Sequence, residues 1–292
     1  MGKLVRMISG CGSVVVSAID STDIVNKAHM FHKTYDVASA ALGRTLTAAS
    51  LIGYNLKNKT DTVTLRFDGG GPLGTVTAVA DYSGNVRGYL QNPGVSLPLN
   101  SKGKIDVGGG VGKNGTLTVI KDMGMKDAYS GSIPLVSGEI AEDITRYYAE
   151  SEQIPTVCAL GVLVDTDFSI KAAGGFILQL LPFTPDDVID KIEKNIEGLP
   201  SVTDMMTKGM GPEEIAAYLL RDMEPNVLDE GEPEYRCTCS RDRMKRALSL
   251  LPKEDIESLA EDEETKTECR FCNKEYVFPK EEIIKLISGK GK

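Results

Sequence analysis

Residues 237–239 read Cys-Thr-Cys and residues 269–272 read Cys-Arg-Phe-Cys, with 29 residues between the two pairs. Two cysteine pairs at such a distance can converge on one ion in a tetrahedral Cys₄ site. The Cys-x-x-Cys spacing is the usual metal knuckle, and the Cys-x-Cys pair closes a smaller chelate ring. We therefore predict one zinc ion per chain, held by Cys237, Cys239, Cys269 and Cys272.

Other metal ligands are scarce near this pattern. The two histidines, His29 and His32, lie far upstream, and structural zinc prefers thiolate to carboxylate. Segment 233–292 has few large apolar residues and is close to the lower size limit for folding unaided. Structural zinc can contribute roughly 10–16 kcal/mol of apparent folding free energy to such a segment. Two structural disulfides without a metal are the alternative, which a reducing cytosol disfavours.

The segment between the cysteine pairs predicts two short helices. Ser240 is the expected N-cap of the first, and Pro252 begins the second. The inward-facing residues are expected to be Met244, Ala247, Leu248, Leu251, Ile256 and Leu259. Residues 252–268 carry eight acidic residues against two lysines, a charge density that favours an extended, solvated chain. We expect this insert to stay ordered only while zinc holds its ends, so oxidation of the thiolates would unfold it.

The periodicity of the preceding residues predicts an α+β fold with mixed sheets rather than a doubly wound fold. Residues 3–19 alternate like a strand pair bent at Gly10 and Gly12, and the spacing is helical from Ser21 to about Leu51. A further helix is expected from Ser137 to Ser151. Further strands are predicted at 62–68, 74–82, 85–91, 115–121, 128–136, 154–164 and 168–181, the last broken at Gly174-Gly175.

The composition changes near Pro182. Residues 185–197 and 212–223 each begin with proline and acidic residues, which are helix-start signals. We therefore divide the chain into an α+β core domain (1–181), a helical linker region (182–232) of modest stability and a redox-switch zinc-binding domain (233–292).

The charge distribution excludes several classes of protein. The net charge is −9, and residues 233–292 hold 13 basic and 13 acidic residues, so the acidic excess lies in the rest of the chain. Bulk nucleic-acid binding is therefore disfavoured. We find no apolar run long enough to span a membrane and no signal-peptide pattern in the first 20 residues, so we expect a cytoplasmic protein.

Several motifs are assigned structural roles. Gly69-x-Gly71-x-x-Gly74 matches the dinucleotide string, but a strand follows it where a helix is required. Residues 108–113 resemble a phosphate loop without its first glycine and its Ser/Thr, and a mobile loop is expected there. His29 and His32 lack a third ligand nearby. Cys11 and Cys158 lie in apolar strand patterns and are expected to be buried and inert.

Two alternative functions follow from the cysteine segment itself. A zinc module that binds nucleic acid would use the basic residues Arg241, Arg243, Lys245 and Arg246. A thiol–disulfide oxidoreductase would use Cys269-x-x-Cys272, although the thioredoxin-like βαβ context is missing. No catalytic triad or nucleophile motif is present, so an enzyme is not expected.

A large α/β core, a helical linker and a C-terminal Cys-x-Cys plus Cys-x-x-Cys pattern together resemble the thirty-three-kilodalton heat-shock protein family, the redox-regulated holdase chaperones of bacteria. The segments FDGGGPLG (67–74) and SGEIAEDITRYYAESEQIPTVCALGVLV (137–164) are similar to that family as well. The resemblance covers the whole chain, and all four cysteines match.

This resemblance implies a mechanism. The four cysteines would ligate zinc in a reduced, inactive form, and oxidation would form disulfides Cys237–Cys239 and Cys269–Cys272 with release of zinc. The linker would then unfold and bind unfolding client proteins without ATP, and a homodimer would accompany activation. Helical faces in the linker are either client-binding surface or ordinary core contacts; their apolar residues are Ile215, Leu219, Leu220 and Met223.

Overall fold

The structure, a computed structural model, describes residues 2–289. The chain forms two compact units, one ending at Arg236 and the other beginning at Cys237. The α+β fold class is confirmed. The predicted division into core, linker and zinc-binding domain stays a prediction, since residues 182–232 lie inside the first compact unit.

The first unit contains two five-stranded sheets. Its strands are β1 (Lys3–Ile8), β2 (Val14–Asp20), β3 (Thr62–Asp68), β4 (Val76–Asp81), β5 (Val86–Leu90), β6 (Thr116–Asp122), β7 (Tyr129–Pro134), β8 (Thr156–Val164), β9 (Ile170–Leu180) and β10 (Asn226–Gly231). The strand order is β10-β1-β2-β9-β8 in sheet one and β5-β4-β3-β6-β7 in sheet two. All of these strand pairs are antiparallel.

The helices of the first unit connect and cover these sheets. They are α1 (Thr22–His32), α2 (Asp36–Gly53), α3 (Val107–Val111), α4 (Ala141–Tyr147) with a π-helical turn (Tyr148–Glu152), α5 (Asp186–Ile196), α6 (Val202–Thr207) and α7 (Pro212–Leu219). Helical spacing over residues 21–51 was predicted without an interruption. The structure ends α1 at Lys33, which adopts the left-handed conformation, before α2 begins.

Helix α2 is the centre of the first unit and packs against strands of both sheets. Almost every position is buried, because its many Ala, Gly, Ser and Thr residues let the neighbouring backbones approach closely. A Cβ on Gly43 would lie 2.8 Å from Val25 and Val162 side chains. Its buried hydroxyls have partners: Thr45 and Thr47 each donate to the carbonyl four residues earlier. The helix is therefore apolar in effect on all sides.

The two glycine-rich segments form one structural contact rather than nucleotide sites. The Gly71 amide donates to the Val111 carbonyl at 2.9 Å, and the Leu73 amide donates to the Gly110 carbonyl at 3.0 Å. A Cβ on Gly69 would lie 2.5 Å from the Val111 carbonyl oxygen. A mobile loop was expected at residues 108–113, but residues 108–111 belong to helix α3, whose N-terminus is capped by the Asp106 carboxylate through the Gly109 amide at 2.9 Å. That part of the prediction is wrong.

Strand β9 runs without interruption through Gly174-Gly175, so the predicted break there is wrong. Both glycines are paired on two sides, with β2 and with β8. Their missing side chains serve packing, since a Cβ on Gly174 would lie 2.7 Å from the Met206 sulfur of α6. The glycines thus admit a helix close to the sheet.

The helices of residues 182–232 pack on the face of sheet one opposite α2. Buried side chains of β1, β2 and β9 meet an apolar cluster that includes Ile192, Met205, Ile215, Leu219 and Leu220. The Asn195 side chain donates to the carbonyls of Leu219 and Arg221, both at 3.0 Å, which ties α5 to the end of α7. In this structure the predicted linker faces are core contacts.

The last residues of the first unit are held along the edge of sheet two. The Val86 amide donates to the Glu234 carbonyl and the Arg236 amide donates to the Val86 carbonyl, both at 2.9 Å. Between them Tyr235 is buried, and its hydroxyl donates to the Gly88 carbonyl at 2.9 Å. The chain therefore reaches Cys237 from an anchored position.

The second unit is a small arrangement of α8 (Arg241–Ser249), α9 (Lys253–Leu259), β11 (Glu264–Glu268), β12 (Glu275–Pro279) and α10 (Lys280–Gly289). Strands β11 and β12 form an antiparallel hairpin. The two helices between the cysteine pairs were predicted. The hairpin's first strand and the final helix were not. No helix in the described part of the chain is long and apolar enough to cross a membrane.

Candidate metal centre

The Cys269-x-x-Cys272 pair forms the turn of the β11–β12 hairpin. The Cys269 amide donates to the Lys274 carbonyl at 3.0 Å, and the Asn273 amide donates to the Cys269 carbonyl at 2.8 Å. Asn273 has a φ of 54°, a left-handed conformation that asparagine adopts more readily than most residues. This local geometry turns the two sulfurs to the same side.

The Cys237-x-Cys239 pair lies directly before α8. Ser240 caps this helix as predicted, because its hydroxyl accepts from the Arg243 amide at 3.2 Å. The Arg243 guanidinium reaches back and donates to the Thr238 carbonyl at 2.9 Å. Helix α8 therefore fixes the backbone between the two cysteines.

The structure brings all four predicted sulfurs together, within 4.8 Å of one another. The Cys237 and Cys269 sulfurs are 3.6 Å apart, and the Cys239 and Cys272 sulfurs are 3.5 Å apart. Zinc–sulfur bonds of about 2.3 Å in a tetrahedron separate the ligands by about 3.8 Å. Four thiolates at these distances fit the donor set of a structural zinc site.

The sulfurs are also part of the small core of the second unit. The buried residues of this core are Leu248, Ile256, Cys269, Tyr276, Phe278 and Ile283, and the other three cysteines pack against them. Leu248 and Ile256 face inward as predicted, whereas Ala247 is exposed. A core of this size contributes little stability by itself.

The surroundings of Cys237, Cys239 and Cys272 shift the pKa values of these three thiols. Burial is the largest effect, and it raises the pKa of Cys237 and Cys272. Burial acts the same way at Cys239, but hydrogen bonds from Tyr276 and from the other cysteines together lower the pKa of Cys239. The hydrogen bond to Cys239 is the main reason that the pKa of Tyr276 rises to about 12. Tyr276 therefore keeps its proton and donates a hydrogen bond to the Cys239 sulfur.

Two basic residues of α8, Arg241 and Lys245, lie close to oxygen atoms of the second unit. Arg241 donates to the Val277 carbonyl at 2.5 Å, forms an ion pair with Glu282 at 2.8 Å and lies over the Phe278 ring. Lys245 lies 3.9 Å from Glu282. Because acidic and carbonyl oxygens already meet these two cations, Arg241 and Lys245 are less available to a phosphate.

The remaining candidate residues lie outside the centre. His29 Nδ1 is 3.2 Å from the Thr34 hydroxyl, and His32 Nε2 is 3.3 Å from the Tyr235 hydroxyl. Cys158 was expected to be buried and is half-buried on β8, where desolvation raises its pKa to about 12. Cys11 was expected to be buried but is exposed in the β1–β2 turn, and a hydrogen bond with Ser9 is the main cause that lowers its pKa. The short turn between the strands puts it outside the sheet.

One residue of the centre was missed by the sequence analysis. The Tyr276 hydroxyl donates to the Cys239 sulfur at 3.1 Å. The residues around Tyr276 alternate as in a strand, but the strand's partner and the face turned to the sulfurs depend on residues 264–268.

Comparison with known proteins places this geometry in a family. A family model described as Hsp33 protein matches residues 2–279. The 33 kDa chaperonin of Clostridium acetobutylicum is 47% identical over 287 residues, which cover 98% of this chain and 97% of the relative. The 33 kDa chaperonin of Agathobacter rectalis is 46% identical over 284 residues, which cover 97% of this chain and 98% of the relative.

A solved structure is similar over nearly the same length. The crystal structure of the 33 kDa chaperonin of Thermotoga maritima matches with a TM-score of 0.91 and 36% identity, covering 99% of this chain and 98% of that chain.

Proposed function

The chain belongs to the Hsp33 protein family, and on that premise we propose that it is a redox-regulated, ATP-independent holdase chaperone. Its relatives are named chaperonins rather than enzymes. The observation that carries the redox part of the proposal is the convergence of four thiols, from two distant pairs, within 4.8 Å.

In the reduced form, Cys237, Cys239, Cys269 and Cys272 would hold one zinc ion as thiolates. The metal would supply a cross-link between the segment directly before α8, which carries Cys237 and Cys239, and the β11–β12 hairpin, which carries Cys269 and Cys272. Since the core of the second unit is small, this cross-link would provide a large part of its folding free energy.

Oxidation would remove the ligands in pairs. One thiolate attacks a peroxide oxygen, the O–O bond breaks, and a sulfenic acid and hydroxide form. The neighbouring thiolate then attacks the sulfenic sulfur and displaces a second hydroxide. Each disulfide therefore passes two electrons to one peroxide, and two disulfides consume two peroxides per chain.

The proposed disulfides are Cys237–Cys239 and Cys269–Cys272, and their connectivity decides the outcome. Bonds within each pair leave the two halves of the second unit unconnected once zinc is lost. Bonds between Cys237 and Cys269 or between Cys239 and Cys272 would instead close loops of more than 30 residues and stabilise the fold. Only the first pattern opens the unit.

The client-binding surface is proposed to come from residues 182–232. Leu219 and Leu220 are fully buried against sheet one, and Ile215 and Met223 are nearly so. Unfolding of this region would expose these side chains together with the apolar face of the sheet, a surface large enough to hold unfolding proteins. Homodimerisation on activation and a cytoplasmic location belong to the same proposal.

The test uses the full-length protein. Reduced, zinc-loaded protein is treated with hydrogen peroxide at mildly raised temperature. Zinc release, far-UV circular dichroism and suppression of the aggregation of a thermally unfolding client are then followed together. We expect about one zinc released per chain, loss of helix and the appearance of holdase activity without ATP.

Disulfide mapping by mass spectrometry separates pairing within motifs from pairing between them. Retained zinc under these conditions, or holdase activity that is equal before and after oxidation, would reject the proposed switch. Activity that requires ATP would reject the holdase assignment.

A further inference from the structure

The β11–β12 hairpin places one tyrosine at the edge of the metal centre. Tyr276 pairs with Thr267 across the hairpin and follows Cys272 by four residues. Along β12 the side chains of Tyr276 and Phe278 face inward, whereas Glu275 and Pro279 are exposed. The position of the Tyr276 ring is therefore set by the same hairpin that carries Cys269 and Cys272.

Its hydroxyl reaches the opposite half of the donor set. The Tyr276 oxygen lies 3.1 Å from the sulfur of Cys239, which is 37 residues away in sequence and belongs to the Cys-x-Cys pair. Tyr276 is only 7% exposed, and a buried hydroxyl requires a partner. Here the partner is sulfur. The hydrogen bond therefore connects the hairpin to the Cys-x-Cys pair through a residue that is not itself a predicted metal ligand.

A cation also lies close to the Tyr276 ring. The Lys274 ammonium is 5.3 Å from the ring centroid, and a cation over a ring face is attracted by the ring's electrons. A hydrogen bond from the phenol to a thiolate is charge-assisted and stronger than one between neutral groups.

We propose that Tyr276 is a positioning residue of the metal centre, which orients the Cys239 sulfur towards the ion and lowers the nucleophilicity of that one thiolate. A sulfur lone pair engaged by the phenol proton is less available to an electrophile or an oxidant. The other three sulfurs would keep their reactivity, so Tyr276 sets the relative order in which the cysteines react. This inference rests on the proposed zinc binding by the four cysteines.

The test compares the wild type with Tyr276→Phe, which removes one hydroxyl and retains the buried ring. Both full-length proteins are reduced and loaded with zinc, then treated briefly with N-ethylmaleimide, and alkylation at each cysteine is measured by mass spectrometry. We expect the rate at Cys239 relative to Cys272 to rise roughly threefold to tenfold in the variant. Competition with a chelator should show zinc affinity lower by about 10–100-fold.

Val277→Ala is the matched control. It removes two methyl groups from the neighbouring position of the same strand and leaves the hydroxyl in place. It should change the four alkylation rates together, if at all. If alkylation of all four cysteines in Tyr276→Phe were accelerated equally, the hydroxyl would only support the fold. If the ratios of the alkylation rates and the zinc affinity were both unchanged, the hydroxyl would neither orient Cys239 nor lower its reactivity. Both results overturn the inference.

Failure of the proposed function can be distinguished from failure of the role proposed for Tyr276. A wild-type protein that binds no zinc would remove the premise, whereas a zinc-binding wild type with an unaffected Tyr276→Phe variant would contradict only the role of Tyr276. Neither the alkylation rates nor the zinc affinity depends on a measurement of holdase activity.

Discussion

The sulfurs of Cys239 and Cys272 lie 3.5 Å apart although 33 residues separate them. One belongs to the loop before α8 and the other to the turn of the β11–β12 hairpin. The contact brings the two ends of residues 239–272 together, so both segments supply thiols to one cluster.

Replacing Cys272 by alanine should weaken zinc binding and unfold the second unit, while the first unit stays folded. With one ligand lost, zinc should be removed by a chelator at concentrations that leave the wild type loaded. Hydrogen exchange should then show loss of protection in residues 237–289, while the strands of the first unit stay protected. Cys11→Ala is the control, because Cys11 is exposed and far from the centre in sequence. Equal zinc retention by the two variants would contradict the assigned ligand set.

Glu152→Gln should destabilise the first unit at neutral pH. The Glu152 carboxylate accepts from Lys121 at 2.7 Å and from the Tyr147 hydroxyl at 2.5 Å. We expect a loss of about 1–3 kcal/mol in the free energy of unfolding, measured by denaturant titration at pH 7. Glu150→Gln removes an exposed ion pair with Arg146 and should cost less than about 1 kcal/mol.

The same pair of variants predicts a pH dependence. Burial, the largest single effect, raises the pKa of Glu152, but the hydrogen bonds from Lys121 and Tyr147 outweigh it and lower the pKa. A lowered folded-state pKa gives stability that is present above the unfolded value and is lost as the pH falls through the folded value. The difference between wild type and Glu152→Gln should therefore shrink below about pH 4. A difference that stays constant between pH 7 and pH 3 would contradict this assignment.

Gly69→Ala should be strongly destabilising. The new Cβ would lie 2.5 Å from the Val111 carbonyl oxygen, a backbone atom that cannot move without separating the two glycine-rich segments. We expect the free energy of unfolding to fall by about 2 kcal/mol or more, as for other overpacked sites. Gly94→Ala has open space around its Cβ and should remain within about 0.5 kcal/mol of the wild type. Thermal unfolding of both variants by calorimetry is the measurement.

Asn195→Ala should loosen the helices that cover sheet one. The substitution removes the hydrogen bonds to the carbonyls of Leu219 and Arg221 at the end of α7, and leaves one buried and one partly buried acceptor without that donor. We expect faster hydrogen exchange in residues 186–219 than in β3–β6, and a local cost of about 1–3 kcal/mol. If these helices open on activation, the variant should reach full holdase activity at a lower peroxide dose. Asp190→Ala, on the exposed face of α5, should show neither change.

The periodic elements of the first unit could be predicted from sequence. Strand β3 was predicted at residues 62–68 and is observed as Thr62–Asp68, and the other strands of sheet two lie within two residues of their predicted ends. These strands alternate apolar and polar residues because one face is buried, which is a local signal. The family assignment is confirmed as well.

Elements that depend on a distant partner could not be predicted. Strand β10 reads Asn-Val-Leu-Asp-Glu-Gly and has no apolar alternation, and it is a strand only because it pairs with β1. Helix α3 consists largely of glycine, which has low helix propensity, and exists because Asp106 caps it and Gly69 and Gly71 pack on it. In the same way, Gly174-Gly175 predicted a break in the strand. The strand is continuous because β2 and β8 pair with these glycines on both sides.

The amino-acid sequence by itself determined the chemistry of the candidate centre, because thiolate identity and the Cys-x-Cys and Cys-x-x-Cys spacings are local properties that a short turn converts into two chelating pairs. Only the tertiary structure decided that the two pairs meet and that the Tyr276 hydroxyl reaches Cys239 rather than another sulfur. Contacts across more than 30 residues depend on how helices and strands pack, and packing sums many weak interactions that no single motif contains.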